Sequence, residues 1–326
     1  FVSRGNLEPY RYWHKEQVAD LKLLADALFA NGINQIVWHG MPFNGPGGRN
    51  EFYASVHVAP NAGFAAELPG FNAYLERVSA LLKLGQPESR LAVYLPNADN
   101  RWLDRIPDEE RTPGGMYRWE MRHVVVSRET EGYAPLWISA RFLKRAQVVA
   151  GRLCIGQCSF SALLIDVEWL DAEALIEAIR LAEAGLPIVL PRPPRAPGRQ
   201  PRDDYGKLLG ELRARENVFS QLGEIGVLPL VTGEDLPPFW ARHTAECLYI
   251  FFAHPKAREL HYPMRYGQSL CRERVIRRVT IDFEGVAHLL KLVFEPYQSL
   301  LVCVSRADGL RFVDIGYRPP EPVCAT

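Results

Sequence analysis

One change of rhythm governs what this chain can fold into. From residue 14 to residue 233, helix-patterned segments alternate with short apolar runs; after about residue 234 strand-like runs follow one another with almost no helix between them. Helices alternating with strands build a parallel sheet covered by helices, whereas consecutive strands build antiparallel sheets. The chain is therefore read as an α/β protein whose last third is β-rich.

The first unit of that pattern is a helix over 14–30, where Val18, Leu21, Ala25, Leu28 and Phe29 recur at helical spacing. Asn31-Gly32 stops it, glycine suiting a left-handed cap. Residues 34–37 then read as a short buried strand that ends on Trp38, His39 and Gly40. The loop that follows, 40–69, is rich in Gly, Pro and Asn and carries Phe43, Phe52, Tyr53 and Phe64. Loops longer than about 12–15 residues are usually functional or disordered, and this much aromatic surface argues for packing. A helix is expected over 70–84, with Gly85 ending it.

A second α/β region runs over strands at 91–95, 161–167, 187–191 and 227–231, with a short strand at 123–126. Helices are expected at 138–146, at 171–184 between an Asp171 N-cap and Gly185, at 204–214 and at 217–224. This spacing suggests a small parallel sheet of flavodoxin-like or Rossmann-like type. Strands at 247–253, 274–283, 289–294, 299–304 and 310–315 then suggest a sandwich-like antiparallel region.

Charge and composition exclude some partners. Lysine plus arginine equal aspartate plus glutamate, 38 against 38, and no basic run occurs, so nucleic acid is not an expected partner. No stretch reaches the roughly 20 apolar residues of a membrane span. The opening Phe1-Val2-Ser3-Arg4 carries no signal-peptide pattern, so the chain reads as a mature or excised piece. The six cysteines lie in apolar, strand-like runs and read as free thiols. Cys154 and Cys158 have no second pair, which leaves no zinc site, and no cofactor or metal is expected.

Candidate chemistry centres on the end of the 34–38 run. Loops at the C-terminal ends of parallel strands hold the ligands of α/β proteins. Trp38 and His39 alternate across an extended chain, so one faces a cleft and the other packs on helices. Glu51 is the carboxylate embedded in the aromatic loop. "GQCSF" around Cys158 looks like a glutaminase elbow but lacks the second glycine and a downstream His-x-Glu, so the thiol reads as structural. "GPGGR" at 45–49 lacks the lysine and the strand–loop–helix context of a phosphate loop and reads as turn chemistry.

The order of "ADLKLLADALFANGINQIVWHGMPF", "FYASVHVAPN" and "LPGFNAYLERVSALLKLGQPESRLAVYLPNADNRW" resembles glycoside hydrolase family 106, the α-L-rhamnosidase family. "AGRLCIGQCSFSALLIDV" and "ALIEAIRLAEAGLPIVL" continue the resemblance. It implies late elements of a TIM-like barrel over 1–86, a Rossmann-like domain over 87–233 and a sandwich-like domain over 234–326. It also implies a rhamnoside-bearing carbohydrate as partner, secretion or a periplasmic location, and His39 at the catalytic face of a late barrel strand. Inverting glycosidases use two carboxylates roughly 6.5–9.5 Å apart. Both are expected upstream of Phe1, so no residue of this chain is assigned as catalytic acid or base; Trp38, His39 and Glu51 are the expected substrate contacts. The competing expectation is a non-catalytic module that binds carbohydrate or supports assembly.

Overall fold

The computed structural model describes residues 17–38, 58, 60, 62–102, 124–198, 202–259 and 271–320. The chain divides into two compact units, one of residues 1–86, 233–283 and 287–326, the other of 87–232 and 284–286.

In the first unit, α1 (Val18–Phe29) forms where the spacing predicts it. It is not the amphipathic surface helix its pattern suggests: eleven of its twelve residues are buried, Asp20, Lys22 and Asp26 among them. Its end is closed by Gly32 at φ +87°, whose N–H donates to Phe29 O (3.0 Å) while the Ile33 N–H donates to Leu28 O (3.1 Å). This pair of bonds is a Schellman closure. Residues 33–38 form no helix and, among the described residues, join no strand, and Val37 is 80% exposed. The expected buried strand at 34–37 is thus corrected. An extended segment becomes a strand only when a neighbour supplies ladder hydrogen bonds, and a short apolar run says nothing about that neighbour. His39 and Glu51 lie outside the described residues. Helix α2 (Leu68–Leu82) follows a 3-10 turn at Ala65–Glu67 and buries Phe71, Tyr74, Leu75, Val78 and Leu82 along one stripe. Beyond its end lies β1 (Gln86–Pro87).

The second unit contains β2 (Leu91–Tyr94), α3 (Asn97–Trp102), α4 (Arg128–Glu131), β3 (Leu136–Ile138), α5 (Ala140–Leu143), β4 (Gln147–Val149), β5 (Arg152–Ile155), β6 (Cys158–Phe160), β7 (Ala162–Leu164), α6 (Ala172–Glu183), β8 (Ile188–Val189), α7 (Tyr205–Arg213) and β9 (Val218–Phe219). Strands β3-β2-β7-β8-β9 form one parallel sheet in that order. Numbered along the chain, the order is 2-1-3-4-5, one of the doubly wound orders. Ala92, Tyr94, Leu163 and Ile188 join the core that includes Leu143 of α5, Leu175 of α6 and Leu212 of α7. Leu91, Val93, Ala162 and Val189 pack on the other face with Tyr133, Leu222 and Ile225. Burial of both faces explains why "LAVYL" and "SALLIDV" are continuous apolar runs rather than alternating ones. Helix α6 starts after Asp171, whose side chain makes no cap hydrogen bond, and ends at Gly185, φ +92°.

Several expectations for this unit change. The helix expected over 217–224 is instead β9, which pairs in parallel with β8, followed by a 3-10 turn at Leu222–Ile225, because an apolar run this short does not distinguish a buried strand from a helix. The segment expected to be helical over 138–146 holds the end of β3 and one turn of α5, and then passes into β4. Strands β4-β5-β6 form a small antiparallel sheet that propensity did not reveal. Residues 124–126 form no strand, and the run at 227–231 adds none to the parallel sheet, whose last strand is β9.

The chain continues with β10 (Val231–Gly233), β11 (Phe239–His243), β12 (Cys247–Phe252), β13 (Val275–Phe283), β14 (Val286–Phe294), β15 (Leu300–Ser305) and β16 (Gly309–Val313). Neighbours β11-β12-β15-β16 are antiparallel, and β1 completes a five-stranded sheet. The register aligns Trp240, Phe251, Leu301 and Val313 in one row across it. That row packs on α1 and α2, with the Phe29 and Phe251 rings edge to face at 5.8 Å. Ile250 and Val302, which point to the other face, are fully buried. The described residues thus form a mixed α/β protein with one parallel sheet and separate antiparallel ones. No helix among them is long and apolar enough to cross a membrane.

Candidate functional site

Trp38 is half-buried and packs on a helix, its ring 5.9 Å from that of Phe71. Phe71, Tyr74 and Tyr317 extend this contact into an aromatic wall, with centroids 5.8–6.4 Å apart. Of the two alternatives for Trp38, packing on helices is therefore the one observed.

Behind the wall lies a buried ionic network. Lys22 Nζ is 2.6 Å from Asp26 Oδ2, Tyr74 OH donates to Asp26 Oδ1 (2.5 Å), and Ser299 Oγ donates to Asp26 Oδ2 (2.7 Å). The His254 N–H donates to Ser299 Oγ (3.1 Å), and Lys22 Nζ also lies 4.5 Å from the Tyr74 ring centroid. Burial, then the charge and hydrogen bond of Asp26, raise the Tyr74 phenol well above its ordinary pKa, so it stays protonated. The Asp26 carboxylate is committed to three donors and enclosed. It holds α1, α2 and the start of β15 together rather than moving a proton. The sequence signal was present as Lys22 and Asp26 at i,i+4, a spacing that usually marks a solvated helix pair.

A second cluster joins His254 to Cys271. The Lys256 N–H donates into His254 Nδ1 (3.1 Å), which leaves the ring proton on Nε2, 3.1 Å from Cys271 Sγ. Burial and the nearby Lys22 charge depress His254 to about 4, with Lys256 and Arg277 adding to the effect and Glu259 opposing it. Burial also raises the Cys271 thiol. Both groups are neutral at pH 7, and the imidazole donates toward sulfur, so this is not a thiolate–imidazolium nucleophile. The pair borders a cavity of about 650 Å³ that Lys256, Glu259, Arg274 and Arg277 also line.

The neutral state of His254 has a measurable consequence. An unfolded histidine titrates near pH 6.5, so the unfolded chain binds a proton that the folded one refuses between about pH 6.5 and 4. The contribution is fully present above pH 6.5 and is lost as pH falls toward 4, about 3 kcal/mol in all. Urea unfolding at pH 7 and pH 5 should lose stability more steeply in the wild type than in His254→Asn. Equal losses in the two proteins would refute this.

In the second unit, the crevice between the C-terminal ends of β2 and β7 is where a doubly wound sheet places its ligand. Here the buried Asp99 carboxylate spans it, accepting the N–H groups of Glu168 (2.8 Å) and Trp169 (2.7 Å). Asp166 pairs with Arg192 (2.9 Å), and Glu168 lies 3.6 Å from Arg195, whose guanidinium sits 5.8 Å from the centre of the Trp169 ring. Tyr205 OH donates to Leu170 O (2.9 Å), and burial, then the Asp171 charge, raises its phenol to about 12. A pyrophosphate would meet carboxylates here rather than a glycine turn and a helix N-terminus. Calorimetry with NAD, FMN and ATP is expected to be flat, and micromolar binding of any of them would overturn the expectation. Cys158 lies on β6, paired with Ile155 in the antiparallel sheet, so it occupies no nucleophile elbow. The five described cysteines are free thiols, and no group of three or more described His, Cys, Asp or Glu side chains could hold a metal ion.

The fold is similar to part of a solved rhamnosidase. The rhamnosidase from Novosphingobium sp. PP1Y matches with a TM-score of 0.63 at 14% identity, over 91% of this chain and 30% of that one. Gan42B, a GH42 beta-galactosidase, matches with a TM-score of 0.42 at 12% identity, over 79% of this chain and 47% of that one. No protein-family model and no curated protein matches the chain. The likeness to the rhamnosidase is one of fold, and the chain spans under a third of the length of that protein.

Proposed function

We propose that this chain is a segment of an inverting glycoside hydrolase that releases terminal rhamnose, with the acid and base supplied by polypeptide outside it. The observation that carries this reading is the extent of the structural match, 91% of the chain against 30% of a rhamnosidase. The motif resemblance at "GINQIVWHG" and "FYASVHVAPN" supports it independently. In this reading residues 1–86 come from the end of a barrel-like domain. Residues 87–233 are a Rossmann-like domain with flavodoxin strand order, and 234–326 a sandwich-like domain. A general acid would protonate the leaving oxygen and a general base would activate water on the opposite face. His39 and Glu51 are proposed to contact the sugar, with Trp38 as the helix-packed residue that positions the start of their loop.

The test is nitrophenol release from an aryl α-L-rhamnoside by the 326-residue chain and by the full polypeptide that contains it. The chain is expected to be inactive and the full polypeptide active with inversion at the anomeric carbon. His39→Ala in the full polypeptide should lower kcat/KM about 5- to 150-fold, the loss of one hydrogen bond to substrate of on the order of 1–3 kcal/mol. Rapid turnover by the chain alone, lost on changing one of its own carboxylates, would sink the assignment of the acid and base. Inactivity of the full polypeptide on rhamnosides would sink the substrate.

A further inference from the structure

We infer that a cleft formed by β14, β15 and the end of β16 binds a neutral, hydroxyl-bearing sugar. The cleft has a volume of about 390 Å³, and Lys291, Gln298, Phe312 and Asp314 are among its lining residues. Small-ligand sites run from roughly 300 to 1,000 Å³ and combine apolar walls with a few placed polar groups. Phe312 is 49% exposed, an aromatic ring left partly uncovered at the sheet's edge. Such a ring offers a surface for the C–H face of a pyranose.

The polar groups around it are fixed but not used up. Gln298 Oε1 accepts the Glu295 N–H (3.3 Å), which turns its amide nitrogen into an uncommitted donor. Asp314 Oδ1 accepts the Gly316 N–H (2.7 Å), which fixes the carboxylate and leaves Oδ2 as an acceptor. Lys291 has no ion pair or hydrogen bond among the described residues and adds further donors. Two donor groups and one acceptor of opposite formal charge suit hydroxyls, which both donate and accept, and suit a ligand without net charge. The larger cavity beside His254 lacks these properties. Lys256 is paired there with Glu259, Arg274 with Glu295 and Arg277 with Asp235, and no Phe, Tyr or Trp side chain is among its described lining residues.

This inference requires no hydrolysis and stands whether or not the full polypeptide cleaves rhamnosides. Its test is saturation-transfer difference NMR on the 326-residue chain. The probes are methyl α-L-rhamnopyranoside, methyl β-D-galactopyranoside and methyl α-D-mannopyranoside, with methyl β-D-glucuronide as the charged comparator. At least one neutral glycoside should receive saturation on its ring protons. Phe312→Ala, Lys291→Met and Asp314→Asn should each weaken that binding about tenfold or more with an unchanged circular dichroism spectrum. If Phe312→Ala does not fold, the other two variants, on exposed side chains, decide the matter. Absence of transfer to every neutral glycoside would overturn the inference. So would stronger binding of the glucuronide, or neutral binding that survives all three substitutions and therefore resides elsewhere on the chain.

Discussion

Replacing Asp26 with asparagine is expected to cost the first unit about 3–5 kcal/mol, the usual penalty for removing one partner of a buried ion pair. Lys22 and Asp26 are 2% and 1% exposed, so solvent cannot take over the ammonium once its counter-charge is gone. The asparagine oxygen can still accept from Tyr74, but its NH2 cannot accept from Ser299, whose hydroxyl then loses the partner seen at 2.7 Å. Urea unfolding, read by hydrogen exchange in α1 and α2, should show the loss locally. Lys22→Met combined with Asp26→Asn should recover at least half of it, because the double variant buries no charge at all. An Asp26→Asn protein within about 1 kcal/mol of wild type would mean that the network contributes little to the fold.

Gly85→Ala is expected to damage the same unit as severely, through the backbone. Gly85 sits at φ +55°, and a Cβ built there would lie 1.8 Å from the carbonyl oxygen of His243 on β11. A backbone oxygen cannot rotate away, so the chain after α2 would have to leave the sheet edge. It would take with it the bonds from the Arg242 guanidinium to Leu84 O (2.7 Å) and Gly85 O (2.6 Å). The expected cost is roughly 3 kcal/mol or more. Gly185 supplies the control. It has φ +92° with nothing within 4 Å of a built Cβ, so Gly185→Ala should cost only about 1 kcal/mol of backbone preference. Limited proteolysis and urea midpoints of both variants separate steric overlap from left-handed strain. Equal losses would show that the approach to His243 is not what requires glycine at position 85.

The local periods of the chain determined much of this architecture on their own. Helices α1, α2, α6 and α7, and strands β2, β7 and β8, stand where apolar spacing placed them, because a helix or a doubly buried strand needs its apolar residues at one repeat. Gly32 and Gly185 were legible as helix stops for a similarly local reason: the closing bonds of these helices put the next residue at positive φ, where glycine alone is unstrained. The strand order 2-1-3-4-5 was legible only as a class, since alternating helices and strands imply a parallel sheet without saying which strands become neighbours.

What the tertiary structure decided are the contacts whose partners lie far away in sequence. Residues 33–38 join no strand among the described residues, and β11 and the β4-β5-β6 sheet exist, because pairing depends on a neighbouring edge that no short window contains. Of the three expected sugar contacts, Trp38 is the one within the described residues, and its half-burial is set by Phe71 on a helix more than 30 positions away. The spacing of Lys22 and Asp26 announces that the two side chains meet, but whether they meet in water or in the core depends on Tyr74 and on Ser299, 273 residues further along the chain. Desolvation is a property of everything that surrounds a charge, so the sequence could name that pair while only the fold could make it the buried centre of the first unit.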